Sequence, residues 1–302
     1  MTLVIASLYL LISAFLFGSA IYILSRDPFV RLNQAYACLA LAQLGWVGTL
    51  FVFNATPAGP TLLWIGRANF AAAALAAPAV FGFVQALLKK PLRWTLWIVI
   101  ETLIIAGLSL GTGLIDQTEA VRGSVHLTTY GWLFPLYIVH LLLYLLPALW
   151  RALTPPRHFA SERQVRLVGV GMLVTAGVGM TTNVVLPYGF GNFHLIDIGT
   201  LSTIGALATI AYAACIYHMF NVRVVIRTTL VVALLIAFAL ELYQAAVSAL
   251  SALLPLTDPT ERHIAAATVA LIINAFTQQP LRWWLTRLAL RLLKRKNERA
   301  AS

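Results

Sequence analysis

Residues 3–24 read LVIASLYLLISAFLFGSAIYIL, without one charged side chain. A helix needs about 20 consecutive apolar residues to cross the hydrocarbon core of a bilayer, and this run supplies them. No basic residue precedes it, no small-residue cleavage site follows it, and it is too long for the core of a signal peptide. It is therefore expected to be a retained first membrane helix. Runs of the same kind recur at 34–53, 61–88, 93–114, 132–153, 165–186, 197–219, 228–253 and 263–279. The third is long enough to tilt or to project from the bilayer. Turn chemistry separates the runs: Asp27-Pro28, Pro57-Ala58-Gly59-Pro60, Pro155-Pro156, Pro187-Tyr188-Gly189 and Asp258-Pro259. The expected fold is all-α, a polytopic membrane bundle of about nine transmembrane helices.

The whole chain agrees with its first run. Of 302 residues, 60% are hydrophobic and only 10% charged, with a mean hydropathy of +0.85; a soluble domain carries roughly 25% charged residues. The net charge of +11 sits in short loops and at the C-terminus. Topology and anionic headgroups account for it there, so nucleic-acid binding is not expected. Cys38 and Cys215 both lie in apolar runs and form no CxxC pair, so they read as small buried hydrophobes rather than a metal or disulfide framework.

Loop charges give an orientation. Arg26 and Arg31 follow the first run, Lys89, Lys90 and Arg93 the third, Arg151, Arg157, Arg163 and Arg166 the fifth, and Arg223 and Arg227 the seventh. The intervening loops are poor in Lys and Arg. By the positive-inside rule the N-terminus faces out and the C-terminus the cytoplasm, which requires an odd number of spans. The longest outer loop, 115–131, has Thr, Val and Tyr residues around Arg122-Gly123-Ser124 and is expected to form a short hairpin on the membrane surface. Pro60, Pro78, Pro135 and Pro147 fall at or within spans and are expected to kink them. Beyond Gln279-Pro280, Leu281, Trp284, Leu285, Leu288, Leu292 and Leu293 alternate with Arg282, Arg287, Arg291, Lys294, Arg295 and Lys296. That is a basic amphipathic helix, read either as membrane-surface or as the start of a signalling helix.

Several stretches carry a family likeness. They are Arg31-Leu32-Asn33-Gln34-Ala35-Tyr36 leading to Gly45-Trp46, Trp64-Ile65-Gly66-Arg67 followed by Pro78–Val84, Leu186-Pro187, Ile210–Ala213, and His218-Met219-Phe220-Asn221-Val222-Arg223 running on to Leu230. In order, and ending at Gln279-Pro280-Leu281-Arg282, they resemble the amino-terminal seven-helix sensor region of bacterial membrane histidine kinases, followed by two further helices and a linker. The family commonly has Leu-Phe-Asp where this chain has Met219-Phe220-Asn221. The resemblance implies a seven-helix sensor bundle over 1–220, two more helices over 221–279 and a cytoplasmic linker helix over 280–302. It implies the bacterial cytoplasmic membrane, a signal relay through Phe220, Arg223 and Arg227, a histidine kinase or other cytoplasmic effector as partner, and a homodimer. The chain has no room for a phospho-accepting His box and no Gly-rich ATP loop, so it is not expected to be an enzyme. Its output would be fused in the native gene or encoded separately.

Ionisable side chains within spans are costly and are candidates for function by default. Here they are Arg67, Glu101, His140 and Glu241, with amides at Gln43, Asn69, Asn183, Gln244 and Asn274. The expected ligand site lies in the outer half: Trp46, Trp64, Arg67, Asn69, Tyr137, Asn183, Tyr188 and Asp197, with Trp132 and His194 near it. Arg67 would hold an acid or carbonyl and the aromatics an acyl or ring group of a small or lipid-like ligand; an Arg67 paired with Asp197, or snorkelling to the headgroups, is the competing reading. Glu101 and Glu241 would serve a transporter or channel, or a helix-to-helix hydrogen bond worth about 1 kcal/mol; His140 would be a pH sensor or a satisfied core residue. Lysines occur only at 89, 90, 294 and 296, which excludes a retinal Schiff base within the bundle. No paired intramembrane His offers a haem site, no HExxH or phosphate loop is present, and no cofactor or metal is expected.

Overall fold

A computed structural model describes residues 3–91, 95–123, 125–156 and 162–217, together with helical positions scattered between 231 and 283. The chain divides into two compact units, Met1–Val222 and Arg223–Ser302.

The first unit is a helical bundle. Its elements are α1 (Leu3–Arg26), α2 (Arg31–Ala55), α3 (Pro60–Leu87), α4 (Thr95–Gly111), β1 (Asp116–Arg122), β2 (Val125–Tyr130), α5 (Phe134–Leu153), α6 (Glu162–Met180), α7 (Ile196–Leu201) and α8 (Thr203–Tyr217). Beyond Met180, α6 continues as a π-helical segment, Thr181–Gly189. Among the described residues five helices are long and apolar enough to cross a membrane: Ile5–Ser25, Arg31–Ala55, Pro60–Leu87, Phe134–Leu153 and Glu162–Gly189. Two shorter apolar helices, Thr95–Gly111 and Ile196–Ile210, accompany them. The protein is thus a helical membrane protein. Its surface agrees, with Leu103, Leu146, Trp97 and Trp150 all more than half exposed, as a lipid solvent permits.

Helix α3 is the hub, packing against α2, α4, α5 and β1, while α1 covers α2 and α6 pairs with α8. Two expected spans differ in detail. The fourth ends at Gly111 rather than 114, where Thr112 turns its hydroxyl back onto the Leu108 carbonyl (2.6 Å) and the chain leaves for the hairpin. The seventh is divided at Ser202. There Thr175 of α6 donates to the Ser202 carbonyl (2.8 Å) and accepts from the Ala206 N–H (3.1 Å), while the Ser202 hydroxyl donates to the Gly199 carbonyl (2.6 Å). These bonds tie the break to α6. Pro78 and Pro147 lie inside α3 and α5.

The expected hairpin forms. β1 and β2 are antiparallel, and Arg122 opposes Val125 across a two-residue loop whose first residue, Gly123, has φ +65°, the left-handed conformation that glycine adopts without a steric cost. In the second unit, Ala246 and Ala270 are buried together under Leu242, Tyr243 and Val247. The other described positions of the eighth and ninth expected spans are helical, including Glu241; the positions between them, and the basic tail beyond Trp283, lie outside the described residues.

Candidate functional site

Side chains alternate along a strand, so residues three apart ordinarily face opposite ways. Asp116 and Glu119 are three apart, yet both carboxyls lie over Gly66 of α3. The reason is a bulge: Asp116 opposes Tyr130 and Thr118 opposes Thr129, leaving Gln117 as an extra residue. That residue shifts the phase of the strand and brings Asp116 and Glu119 to one face, joined there by Thr128 and Tyr130 of β2. A methyl at Gly66 would lie 2.6 Å from Glu119 Oε1 and 3.0 Å from Asp116 Oδ2. Glycine is what lets the hairpin settle this close to the helix.

The two acids are unequally provided for. Thr128 donates to both oxygens of Glu119, at 2.9 and 3.0 Å. Asp116 is fully buried, and apart from a proton shared with Glu119 neither carboxylate oxygen accepts a hydrogen bond from a donor among the described residues. Burial raises Asp116 to about 6, with Arg67 pulling the other way. Burial, and then the negative charge of Asp116, raises Glu119 to about 9. Burial and the two acids push the Tyr130 phenol upward as well. Two adjacent buried carboxylates repel, so near neutral pH the pair shares one proton, and the larger upward shift at Glu119 favours that residue as its holder.

Glu119 and Gly66 form part of the wall of a chamber of about 170 Å³ inside the bundle, room for about a dozen water-sized spheres. On α3 the wall runs from Gly66 to Val80, about 20 Å at 1.5 Å per residue. Leu39, Ala73, Ala77, Leu141, Met172 and Leu207 make most of it apolar. The residues with polar side-chain atoms are Glu119, Thr128 and Tyr130 of the hairpin, with Tyr36, Gln43, Trp46, Asn69, Tyr137, Thr175, Asn183 and Thr203. Next to the hairpin stands an aromatic cluster: Tyr130 and Phe134 at 4.1 Å between ring centroids, Phe134 and Tyr188 at 4.9 Å, Phe70 and Tyr137 at 5.6 Å. The π-helical turn of α6 contributes Asn183 and Val184 to the wall. Widened turns of this kind recur at functional sites.

Of the residues expected to bind a ligand, Trp46, Asn69, Tyr137 and Asn183 line the chamber. Asn69 donates to the Trp46 carbonyl and the Thr49 hydroxyl, both at 3.0 Å, and Tyr137 donates to the Phe70 carbonyl at 3.0 Å. The other four stand elsewhere. Trp64 is 56% exposed. Arg67 lies beside its ring at 5.8 Å and donates through Nε to the Asp116 carbonyl at 3.2 Å. Asp197 accepts from Tyr9 (2.7 Å) and Asn54 (2.8 Å), so it pairs with α1 and α2 rather than with Arg67. Tyr188 packs against Tyr130 and Phe134. Phe220, Arg223 and Arg227 lie outside the described residues. Sequence reasoning passed over Asp116, Glu119, Thr128 and Tyr130, because only the bulge joins them. The available signal was an acidic pair, three residues apart, in a chain with ten acids in all.

Glu101 and His140 belong to a second cluster. His140 Nε2 is 2.9 Å from the Ala74 carbonyl, its Nδ1 is 2.6 Å from Glu101 Oε1, and Tyr144 donates to Glu101 Oε2 at 2.8 Å. A carbonyl can only accept, so Nε2 is the donor there. One further proton is held between Nδ1 and Glu101, as imidazolium and carboxylate or as imidazole and carboxylic acid. The cluster joins α3, α4 and α5 and leaves no ring nitrogen over. Among the described residues no group of three or more His, Cys, Asp or Glu could hold a metal.

Comparison with protein-family models, with curated proteins and with solved structures finds no match to this chain.

Proposed function

We propose that the protein is a transmembrane sensor module that binds a small amphiphile in the chamber of its first unit and passes a conformational signal to a cytoplasmic effector of the histidine-kinase type. One observation supports this above the others: a long, mostly apolar chamber within a membrane bundle, whose one acid among the described residues, Glu119, comes from the hairpin. Such a shape suits a chain with a head. Ligand binding would favour one packing of the bundle over another, and only that difference in affinity can drive a signal. In this reading the chain crosses the bacterial cytoplasmic membrane nine times with its N-terminus outside, and the residues beyond Val222 act as coupling helices and linker, working as a homodimer.

Native mass spectrometry of the gently extracted protein tests the binding step. A stoichiometric amphiphile, absent from Ala73→Phe because the larger ring fills the chamber, is the expected result. Deletion of residues 279–302 should abolish signalling and spare binding; equal loss of both would contradict the relay. In the transporter alternative Glu101 carries substrate or protons, but here it is occupied with His140 and Tyr144, which favours the sensor. Substrate flux lost in Glu241→Gln would revive it.

A further inference from the structure

We propose that the ligand of the chamber is an amphiphile with an amine head, seated against Glu119 in front of Asp116. This rests on the reading of the chamber as a ligand site and adds the chemistry of its occupant.

Charge comes first. Glu119 is the one acid in the wall, and no Arg, Lys or His lines it among the described residues. Arg67, the cation the sequence offered for an acidic head, lies outside the wall and beside Asp116. A carboxylate or phosphate head would meet an acid and find no counter-charge, a repulsive element that discriminates against anions. For the same reason an aminophospholipid, whose phosphate accompanies its amine, is a poorer match than a simple amine.

Hydrogen bonding points the same way. The unpartnered polar atoms of the wall are Gln43 Oε1 and Thr203 Oγ1, both oxygens that can accept, and behind it the buried carboxylate of Asp116 meets only Glu119 and Arg67. Thr203 is only 2% exposed and still faces the chamber. Buried polar groups are ordinarily paired, and these call for a ligand rich in donors. An ammonium has three donors and no acceptor.

Proton accounting closes the argument. The ionisable groups around Glu119 are Asp116 on its own strand, Tyr130 on β2 and Arg67 on α3. Without ligand, one proton on Glu119 leaves Asp116 to balance Arg67. An arriving ammonium takes Glu119 as its counter-ion, and the Glu119 proton leaves for solvent. A neutral amine instead takes that proton itself, and none is released. Either route ends in the same ammonium–carboxylate pair.

The test uses the whole protein in phosphatidylcholine nanodiscs and three probes of equal chain length: dodecylammonium, dodecanol and dodecanoate. Dodecylammonium is expected to bind saturably, about tenfold or more tighter than either of the others. Glu119→Gln should remove that margin while dodecanol binding stays, which also shows that the variant is folded. If Glu119→Gln loses dodecanol too, Asp116→Asn replaces it and must show the same split. Tighter binding of dodecanoate, or an unchanged ammonium margin in both variants, overturns the amine proposal but leaves the chamber a ligand site, provided Ala73→Phe blocks the probe that binds. Saturable binding by none of the three, with Ala73→Phe making no difference, overturns the chamber reading and the amine proposal together.

Discussion

Two acidic clusters sit in the first unit, and they are built differently. At Glu101, each ring nitrogen of His140 and both carboxylate oxygens have a partner within 2.9 Å. At Glu119, the neighbouring Asp116 is fully buried and, Glu119 apart, its oxygens accept nothing from the described donors. The first cluster is complete, and it fastens three helices. The second is incomplete, and it borders the chamber. A finished polar network reads as structure, whereas orphaned acceptors beside an empty volume read as a place prepared for something else. A list of intramembrane acids does not tell these cases apart.

The contrast breaks most sharply at His140. His140→Ala removes a buried ring and takes their His140 partner from the Ala74 carbonyl and Glu101 Oε1, at an expected cost of about 3 kcal/mol. Thermal unfolding of the purified variant in detergent measures it. Glu119→Gln keeps the shape and removes an ionisable group that is already neutral near pH 7, so its stability should stay within about 0.5 kcal/mol of the parent. Equal losses in the two variants would erase the distinction between the clusters.

Acidity provides the next test. Asp116 and Glu119 both bind protons more tightly folded than unfolded, with Asp116 raised from 3.8 to about 6 and Glu119 from 4.5 to about 9. Between each pair of values the folded state holds more protons, so stability falls as pH rises. The contribution is whole below pH 3.8 to 4.5 and is lost on passing about 6 for Asp116 and about 9 for Glu119. This slope opposes ordinary acid denaturation. Melting temperatures measured across that range should decline in the parent, and the upper part of the decline should flatten in Glu119→Gln.

Smaller effects sharpen the picture. Gly66→Ala would press a methyl against the far ends of both acidic side chains, which can shift; about 1 kcal/mol of stability is expected to go, together with the preference for an ammonium head. A binding assay that finds that preference intact would show that the pair is not held by Gly66. Thr203→Val removes a buried hydroxyl that has no partner among the described residues and should be neutral or stabilising by up to about 1 kcal/mol. A clear loss would mean that the hydroxyl is satisfied after all.

The five long helices of the first unit were legible because an apolar run of bilayer length is rarely compatible with a water-facing fold, and the hairpin because Gly123 stands between two β-rich stretches. Trp46, Asn69, Tyr137 and Asn183 could be placed on the chamber because helix registry carries a residue's depth. What escaped was everything set by the hairpin's phase. One bulge at Gln117 decides whether Asp116 and Glu119 face together or apart, and no pattern of alternation announces a bulge. That Arg67 stands off the chamber wall escaped for a related reason: its depth in α3 was readable, but not the Asp116 carbonyl that it bonds. Nor was the break at Ser202 visible, since it depends on Thr175 in another helix.

The central claim is that Glu119 carries a proton at the chamber wall and gives it up to a ligand. Infrared difference spectra of the nanodisc-embedded protein at neutral pH, with and without dodecylammonium, test it directly. The account predicts a protonated-carboxyl band that is missing in Glu119→Gln and disappears from the parent when the ammonium binds. A Glu119 already ionised without ligand, or a band indifferent to saturating dodecylammonium, would contradict it.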